Sequence, residues 1–218
     1  MNTRLVGSEM CIRDSIQGDK LDKVNISSDT SIFLAHEAQK LGYKIFYYTP
    51  SNLSIIKNKT YANGVFVKFN YEKKKFYKIY KKQKIDVENL KFILIRQDPP
   101  FNSEYLITTL ILDDLKKAKV INNPTAIRNV SEKLYSKHFI KFMPNTLFSN
   151  NIEEIKKFYK QNKSMIMKPI NGYGGNQIHL IKNKFNKKLI TNFLNKNGHS
   201  MFQKFLKNIS KGDKRVFI

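Results

Sequence analysis

Met165-Ile-Met-Lys168-Pro-Ile-Asn171-Gly172-Tyr173-Gly174-Gly175-Asn-Gln-Ile178 reads as a strand, a lysine, a glycine-rich turn and the start of a second strand. Met165, Ile166 and Met167 are apolar, and Ile178, Leu180 and Ile181 resume the apolar run beyond the turn. Glycines tolerate positive φ and carry no Cβ, so Gly172, Gly174 and Gly175 can bend sharply and bring backbone amides close to a ligand. A lysine at the end of the incoming strand adds a mobile point charge. Together these features suit a phosphate group. The spacing alone leaves a second reading open, a hairpin with a glycine turn and a surface lysine. The stretch is neither G-x-G-x-x-G nor G-x-x-x-x-G-K-[ST].

Outward from this stretch, strand and helix patterns alternate. Ser28, Asp29, Thr30 and Ser31 offer N-caps to a helix with Ile32, Phe33, Ala35, Ala38 and Leu41 at helical spacing, ending at Gly42. Residues 43–48 read as a strand, and strand–helix–strand with short connections predicts a parallel α/β unit. Residues 52–84 read as a hairpin insertion. Phe92-Ile-Leu-Ile-Arg96 is a buried-type strand that Pro99 and Pro100 end abruptly. Arg96 and Asp98 therefore sit at the carboxyl end of a strand, where ligands of open α/β sheets collect. A surface ion pair beside a proline turn is the plainer alternative. Residues 105–117 read as a helix, 119–122 as a short strand, Pro124 as the start of another helix, and Ser131 to Leu134 as the beginning of a further one. Lys133 in that first turn opposes the helix dipole, which is unfavourable unless an anion is near; a solvated surface lysine is the simpler reading. Residues 151–161 and 185–194 read as helices, 201–206 as a strand, and 211–218 as a turn into a strand.

Both ends look irregular. Residues 1–15 look foreign to the rest of the chain, and residues 6–15 resemble the translation of a sequencing adapter. On that reading Cys11 carries no meaning and Ile16-Gln-Gly-Asp19 is the remnant of a lost strand and its turn. The chain stops inside an apolar run at Val216-Phe-Ile218, so it is expected to be a truncated fragment.

The chain has 218 residues, 41% of them hydrophobic, which fits a globular protein with one large or two small domains. No apolar run approaches the length needed to cross a bilayer, and no signal peptide is evident, so a protein without a membrane partner is expected. One cysteine rules out an intrachain disulfide, and the 4 scattered histidines show no ligand spacing. A reducing cytoplasm is the expected location. The net charge of +23 raises nucleic-acid binding. Against it, arginine occurs only at Arg4, Arg13, Arg96, Arg128 and Arg215, whereas base recognition favours the bidentate arginine fork. The lysines are spread along the chain except in residues 73–84, where Phe76, Tyr77 and Tyr80 are interleaved. The abundance of asparagine and isoleucine beside lysine fits A/T-rich codons. No nucleic-acid partner is expected; a lysine-rich nucleic-acid-binding protein is the competing reading from another class.

Several segments occur in one order: Asp29-Thr-Ser31, Arg96-Gln-Asp-Pro-Pro-Phe101, Asn122-Asn-Pro-Thr125, Ser131-Glu-Lys-Leu134, Met167-Lys-Pro-Ile-Asn-Gly-Tyr-Gly-Gly175 and Gly212-Asp-Lys-Arg-Val216. Taken together they resemble the bacterial glutathione synthetases, members of the ATP-grasp superfamily, from about Ile16 to the end of the chain. The glycine-loop and Gly-Asp-Lys-Arg motifs are shared across ATP-grasp ligases; Arg-x-Asp-Pro-Pro-Phe is the discriminating one. Another ATP-grasp carboxylate–amine ligase would keep Lys133, Lys168 and the loop but lack Arg96 to Phe101.

The resemblance implies an α/β fold. An N-terminal parallel-sheet, Rossmann-like substrate domain (16–123) would precede an incomplete ATP-grasp α+β domain (124–218), with residues 1–15 non-native. It implies ATP-dependent ligation of γ-glutamylcysteine to glycine through an acyl phosphate. Lys133 and Lys168 match the lysines that hold ATP phosphates, and Gly172, Tyr173, Gly174 and Gly175 match the loop closing over them. Gln203, Phe205 and Leu206 match the segment lining the adenine and ribose pocket. Asp213 and Arg215 match a pair close to nucleotide and substrate, with Lys168 and Arg215 as catalytic residues. Arg96, Asp98 and Arg215 match the peptide site. Asn171 stands where the family commonly has aspartate. The resemblance implies Mg²⁺, or Mn²⁺ in its place, with no metal ligands in this chain because the family's lie beyond Ile218. It also implies an inactive fragment of a full-length homo-oligomer.

Overall fold

The computed structural model describes residues 13–212 together with Lys214 and Val216. The chain divides into two compact units between Asn129 and Val130.

Strand β1 (Arg13–Gln17) opens the first unit and leads to helix α1 (Thr30–Lys40) and strand β2 (Lys44–Tyr48). Asp29 starts the helix: its carboxylate accepts the amides of Ser31 and Ile32 at 2.6 and 2.9 Å, satisfying two donors that have no partner inside the helix. Gly42, with φ +88°, turns the chain out of the helix. Strands β3 (Leu53–Ile56), β4 (Lys59–Phe69) and β5 (Tyr77–Asp86) form the insertion, followed by β6 (Phe92–Ile95), α2 (Ser103–Asp113), β7 (Lys119–Ile121) and α3 (Pro124–Asn129). The sheet order is β3-β4-β2-β1-β6-β7, with β5 added on β4. β1 runs parallel to both β2 and β6, and β6 parallel to β7, whereas β4 runs antiparallel to β2, β3 and β5. The 11 residues of β4 thus serve three neighbours. Alternation along β2 splits the core: Ile45 and Tyr47 face one cluster with Ile16, Ile32 and Val67, while Phe46 and Tyr48 face another with Phe66, Ile93 and Leu112.

The structure departs from the sequence expectation at β1 and at the end of α2. The first strand is not lost: it extends back through Ser15 and Asp14 to Arg13, paired with β2 throughout and with β6 from Asp14 onward. Ladder hydrogen bonds come from the backbone, so a poor strand sequence is held by the strands on either side. Cys11 and residues 1–12 lie outside the described residues. Helix α2 stops at Asp113 rather than near Lys117, because the amides of Lys116, Lys117 and Ala118 donate to the Glu88 carboxylate at 2.7, 2.8 and 3.2 Å.

The second unit starts with helix α4 (Glu132–Tyr135) and a 3-10 segment (Ser136–Phe142). Strand β8 (Thr146–Ser149), helix α5 (Ile152–Asn162), strands β9 (Ser164–Pro169) and β10 (His179–Lys182), helix α6 (Lys187–Asn197) and strand β11 (Ser200–Lys204) follow. The strands pair antiparallel in the order β10-β9-β11-β8. Ile155 of α5, with Ile190 and Phe193 of α6, packs against Met165, Met167, Ile181 and Phe202 on one face of the sheet. Alternation then sends Ile166 and Lys168 to the opposite face. Strand β8, four residues with two hydroxyls, carries too short an apolar pattern to be read from sequence. Residues 213, 215, 217 and 218 of the expected final strand lie outside the described residues.

Candidate functional site

Lys168 is the second-last residue of β9, on the face that the helices leave uncovered. Its Nζ donates to Gln203 Oε1 on β11 at 2.8 Å. Gln203 Nε2 in turn donates to Thr146 Oγ1 on β8 at 3.0 Å, and Thr146 Oγ1 donates to the Pro144 carbonyl at 2.7 Å. This chain across three strands fixes the ammonium group. Gln203 is buried, so its amide has few other orientations that keep its polar atoms satisfied. Burial lowers the Lys168 pKa from the ordinary lysine value, and the positive charge of Lys133 lowers it further against the opposing pull of Glu132. Two lysine charges therefore sit within mutual influence, an arrangement that a phosphate anion would relieve.

Lys133 belongs to α4, and its Nζ donates to the Gly172 carbonyl. The glycine turn spans residues 170–178 between β9 and β10, so both readings left open by the sequence meet: it is a long hairpin connection, and it carries a lysine contact. Gly172 is required for closeness, since a Cβ there would collide with Pro169 Cγ. Gly174 and Gly175 are required for conformation, with φ +56° and +73°. Tyr173 is 41% exposed beside them. Past β11, Phe205 is half-buried and Leu206 exposed, and the Phe205 amide donates to the Ser164 carbonyl at 3.3 Å. Lys133, Lys168, Gly172 and Gln203 are thus brought together. Asp213 and Arg215 lie outside the described residues. Thr146, the anchor of Gln203, has no signal of its own in the sequence because β8 has none.

In the first unit, β1 leads to one neighbour, β2, and lies against β6 on its other side. The strand order therefore reverses between β1 and β6, and the carboxyl ends of such a pair form a ligand crevice. A cleft of ≈ 360 Å³ lies there, lined among others by Gly18, Asp19, Asp29, Ser31, Arg96 and Asp98. Arg96 Nε donates to Ser31 Oγ at 2.9 Å and Nη2 to Thr30 Oγ1 at 2.8 Å, so the first turn of α1 aims the guanidinium. Asp19 Oδ2 accepts the Asp98 amide at 2.8 Å, tying the two strand ends together. Burial raises the Asp98 pKa, and the nearby charges of Asp19 and Asp29 raise it further against Arg96. The sequence offers Thr30 and Ser31 only as N-cap residues and gives Asp19 no part in the site; the Asp29-Thr-Ser motif is the available signal.

The comparisons with known proteins follow the same division. The model of the prokaryotic glutathione synthetase N-terminal domain matches residues 12–128, and that of the prokaryotic glutathione synthetase ATP-grasp domain matches residues 132–218. The chain belongs to the prokaryotic glutathione synthetase family. Among curated relatives, the glutathione synthetase of Mesorhizobium japonicum is 34% identical over 213 residues, covering 96% of this chain and 68% of the relative. The glutathione synthetase of Vibrio parahaemolyticus is 32% identical over 212 residues, covering 95% of this chain and 67% of the relative. The chain therefore spans about two thirds of these glutathione synthetases. A solved RimK-domain ATP-grasp protein from Sphaerobacter thermophilus shares the fold, with TM-score 0.55 and 12% identity over 89% of this chain and 64% of that one. Glutathione synthetase membership and this fold together make the first unit the family's N-terminal α/β domain and the second a partial ATP-grasp domain.

Proposed function

We propose that this chain is part of a glutathione synthase. In this reading ATP phosphorylates the carboxylate of γ-glutamylcysteine, ADP leaves, the glycine amine attacks the acyl carbonyl, and phosphate departs. The carrying observation is the placement of Lys168 by Gln203 beside Lys133, which is itself held to the glycine turn. Phosphoryl transfer asks the protein chiefly for positioning and charge neutralisation. Lys168 and Lys133 would hold the phosphates, with amides of residues 172–175 above them. Gln203, Phe205 and Leu206 would border the base and ribose. Arg96 and Asp98 would hold the peptide, with Asp213 and Arg215 assigned by family resemblance alone.

Among the described residues no group of three His, Cys, Asp or Glu side chains could hold a metal ion. These residues do not fit a Mg²⁺ or Mn²⁺ site. Among the described residues no helix is long and apolar enough to cross a membrane. A cytoplasmic location and a homo-oligomeric full-length form complete the proposal.

The test is ADP release by the protein extended past Ile218, with ATP, Mg²⁺, γ-glutamylcysteine and glycine, each amino substrate omitted in turn, alongside calorimetric ATP binding to the 218-residue chain. ATP binding lost in Lys168→Ala supports the nucleotide site. Turnover needing both amino substrates supports the assignment, and turnover with a different acceptor overturns it.

A further inference from the structure

A second cluster of positive charge lies in the first unit, on residues other than those given roles above. Lys68 on β4 is directly opposite Lys78 on β5. The β2–β4 ladder ends at Ile45–Val67, and Lys44 and Lys68 are the next residues along the two strands. Alternation agrees: Phe46 and Phe66 share a face, their rings 5.4 Å apart, and Lys44 and Lys68 lie two residues from each on that same face. Three lysines from three adjacent strands therefore form one transverse row. They line a pocket of ≈ 530 Å³ with Gln39, Gly42, Tyr43 and Tyr80, and no carboxylate is among its lining residues. Gln39 is already satisfied, donating to the Val67 carbonyl at 3.2 Å and accepting the Phe69 amide at 2.8 Å, so it forms wall rather than ligand. Lys44 and Tyr80 have interactions of their own, which leaves Lys68 and Lys78 as the principal ligand groups. Neither takes part in the ion pairs formed among the described residues.

Like charges directly opposite each other across two strands are destabilising. A row of three concentrates that cost at one spot, where a scattered lysine surface would dilute it. A ligand with several negative charges in a short span offsets it, and lysine ammoniums bind phosphate as point charges. We propose that this pocket binds a compact oligophosphate, either free or as the tail of a nucleotide, through residues distinct from those of the glycine turn.

The test titrates inorganic tripolyphosphate into the full chain carrying Lys168→Ala, which removes the lysine assigned to the other phosphate site. The same titration is made with Lys68→Gln and Lys78→Gln added; both positions are exposed, and a thermal scan verifies that the variant is folded. One binding site that weakens at least tenfold on adding the two glutamines is expected. An ATP arm then separates the sources: tighter binding than tripolyphosphate indicates a nucleotide tail, equal or weaker binding a free oligophosphate. Absence of binding, or binding that the two glutamines leave unchanged, overturns the proposal. A single-stranded oligonucleotide that outcompetes tripolyphosphate overturns it in favour of an extended polyanion surface. Loss of ATP binding in Lys168→Ala supports the glycine-turn site and leaves a free oligophosphate as the ligand of this pocket, while the tripolyphosphate titration decides the pocket itself, so the two readings fail separately.

Discussion

Lys168 and Gln203 lie on neighbouring antiparallel strands and meet through a 2.8 Å hydrogen bond from Nζ to Oε1, with Thr146 holding the far side of the amide. The lysine is aimed before any phosphate arrives. Burial and then the charge of Lys133 lower its pKa. Competitive acylation across pH should find Lys168 reacting at lower pH than exposed lysines, and Lys133→Ala should move it back up. Between the folded value and the usual 10.5, the unfolded chain binds more protons, so this group makes stability rise with pH in that window.

The glycines of the turn should separate by cause. Gly172→Ala drives a Cβ into the ring of Pro169, which cannot swing away. It should cost about 1–3 kcal/mol in urea denaturation. It should also weaken ATP binding, because it shifts the carbonyl that Lys133 holds. A Cβ on Gly175 meets nothing within 4 Å, but φ there is +73°. Gly175→Ala should cost about 1–2 kcal/mol for backbone conformation.

Arg96→Lys tests the cleft of the first unit. The guanidinium reaches Ser31 through Nε and Thr30 through Nη2, a two-point geometry that one ammonium cannot copy. Binding of γ-glutamylcysteine should weaken at least tenfold, about 1.4 kcal/mol, with ATP affinity unchanged. Equal affinity for the peptide in both proteins would remove Arg96 from the site.

Asp14 is an awkward residue for an internal strand. Its Oδ1 is buried without a hydrogen-bond partner, and burial raises its pKa above the usual 3.8 against the pull of Lys91 and a backbone hydrogen bond at Phe92. Between 3.8 and the raised value the folded chain binds more protons, so this group makes stability fall as pH rises through that window. Asp14→Val should raise the melting temperature at pH 7, worth on the order of 1 kcal/mol, with a smaller gain near pH 3.

Much of the fold is legible in the sequence because strong local signals agree with their surroundings. Asp29 before Thr30 caps a helix, Phe92 to Ile95 reads as a buried strand, and the prolines after Asp98 end it. The failures share a physical origin in non-local hydrogen bonding. β1 extends through Arg13, Asp14 and Ser15, residue types that give no strand signal, because β2 supplies a ladder along its whole length and β6 a second one from Asp14 onward. Helix α2 ends where Glu88, distant in sequence, captures the next amides. For the candidate site, Lys133, Lys168 and the glycines stand in a recognisable motif, and Gln203 comes through family resemblance. Thr146 and Asp19 act through contacts across 57 and 79 residues, which no local pattern announces.

The sharing of β4 among three strands carries a consequence for cooperativity. β2, β3 and β5 all hydrogen-bond to it, and the stretch from Val65 to Val67 has β2 on one side and β5 on the other, so its amides reach solvent only when a neighbour detaches. In hydrogen–deuterium exchange the protons around Phe66 and Val67 should then report global opening of the first unit, while the ends of β3 and β5 exchange through local fraying. A lesion at the centre of β4 would release both buried clusters together, which makes this strand the point where unfolding of the unit becomes all-or-none.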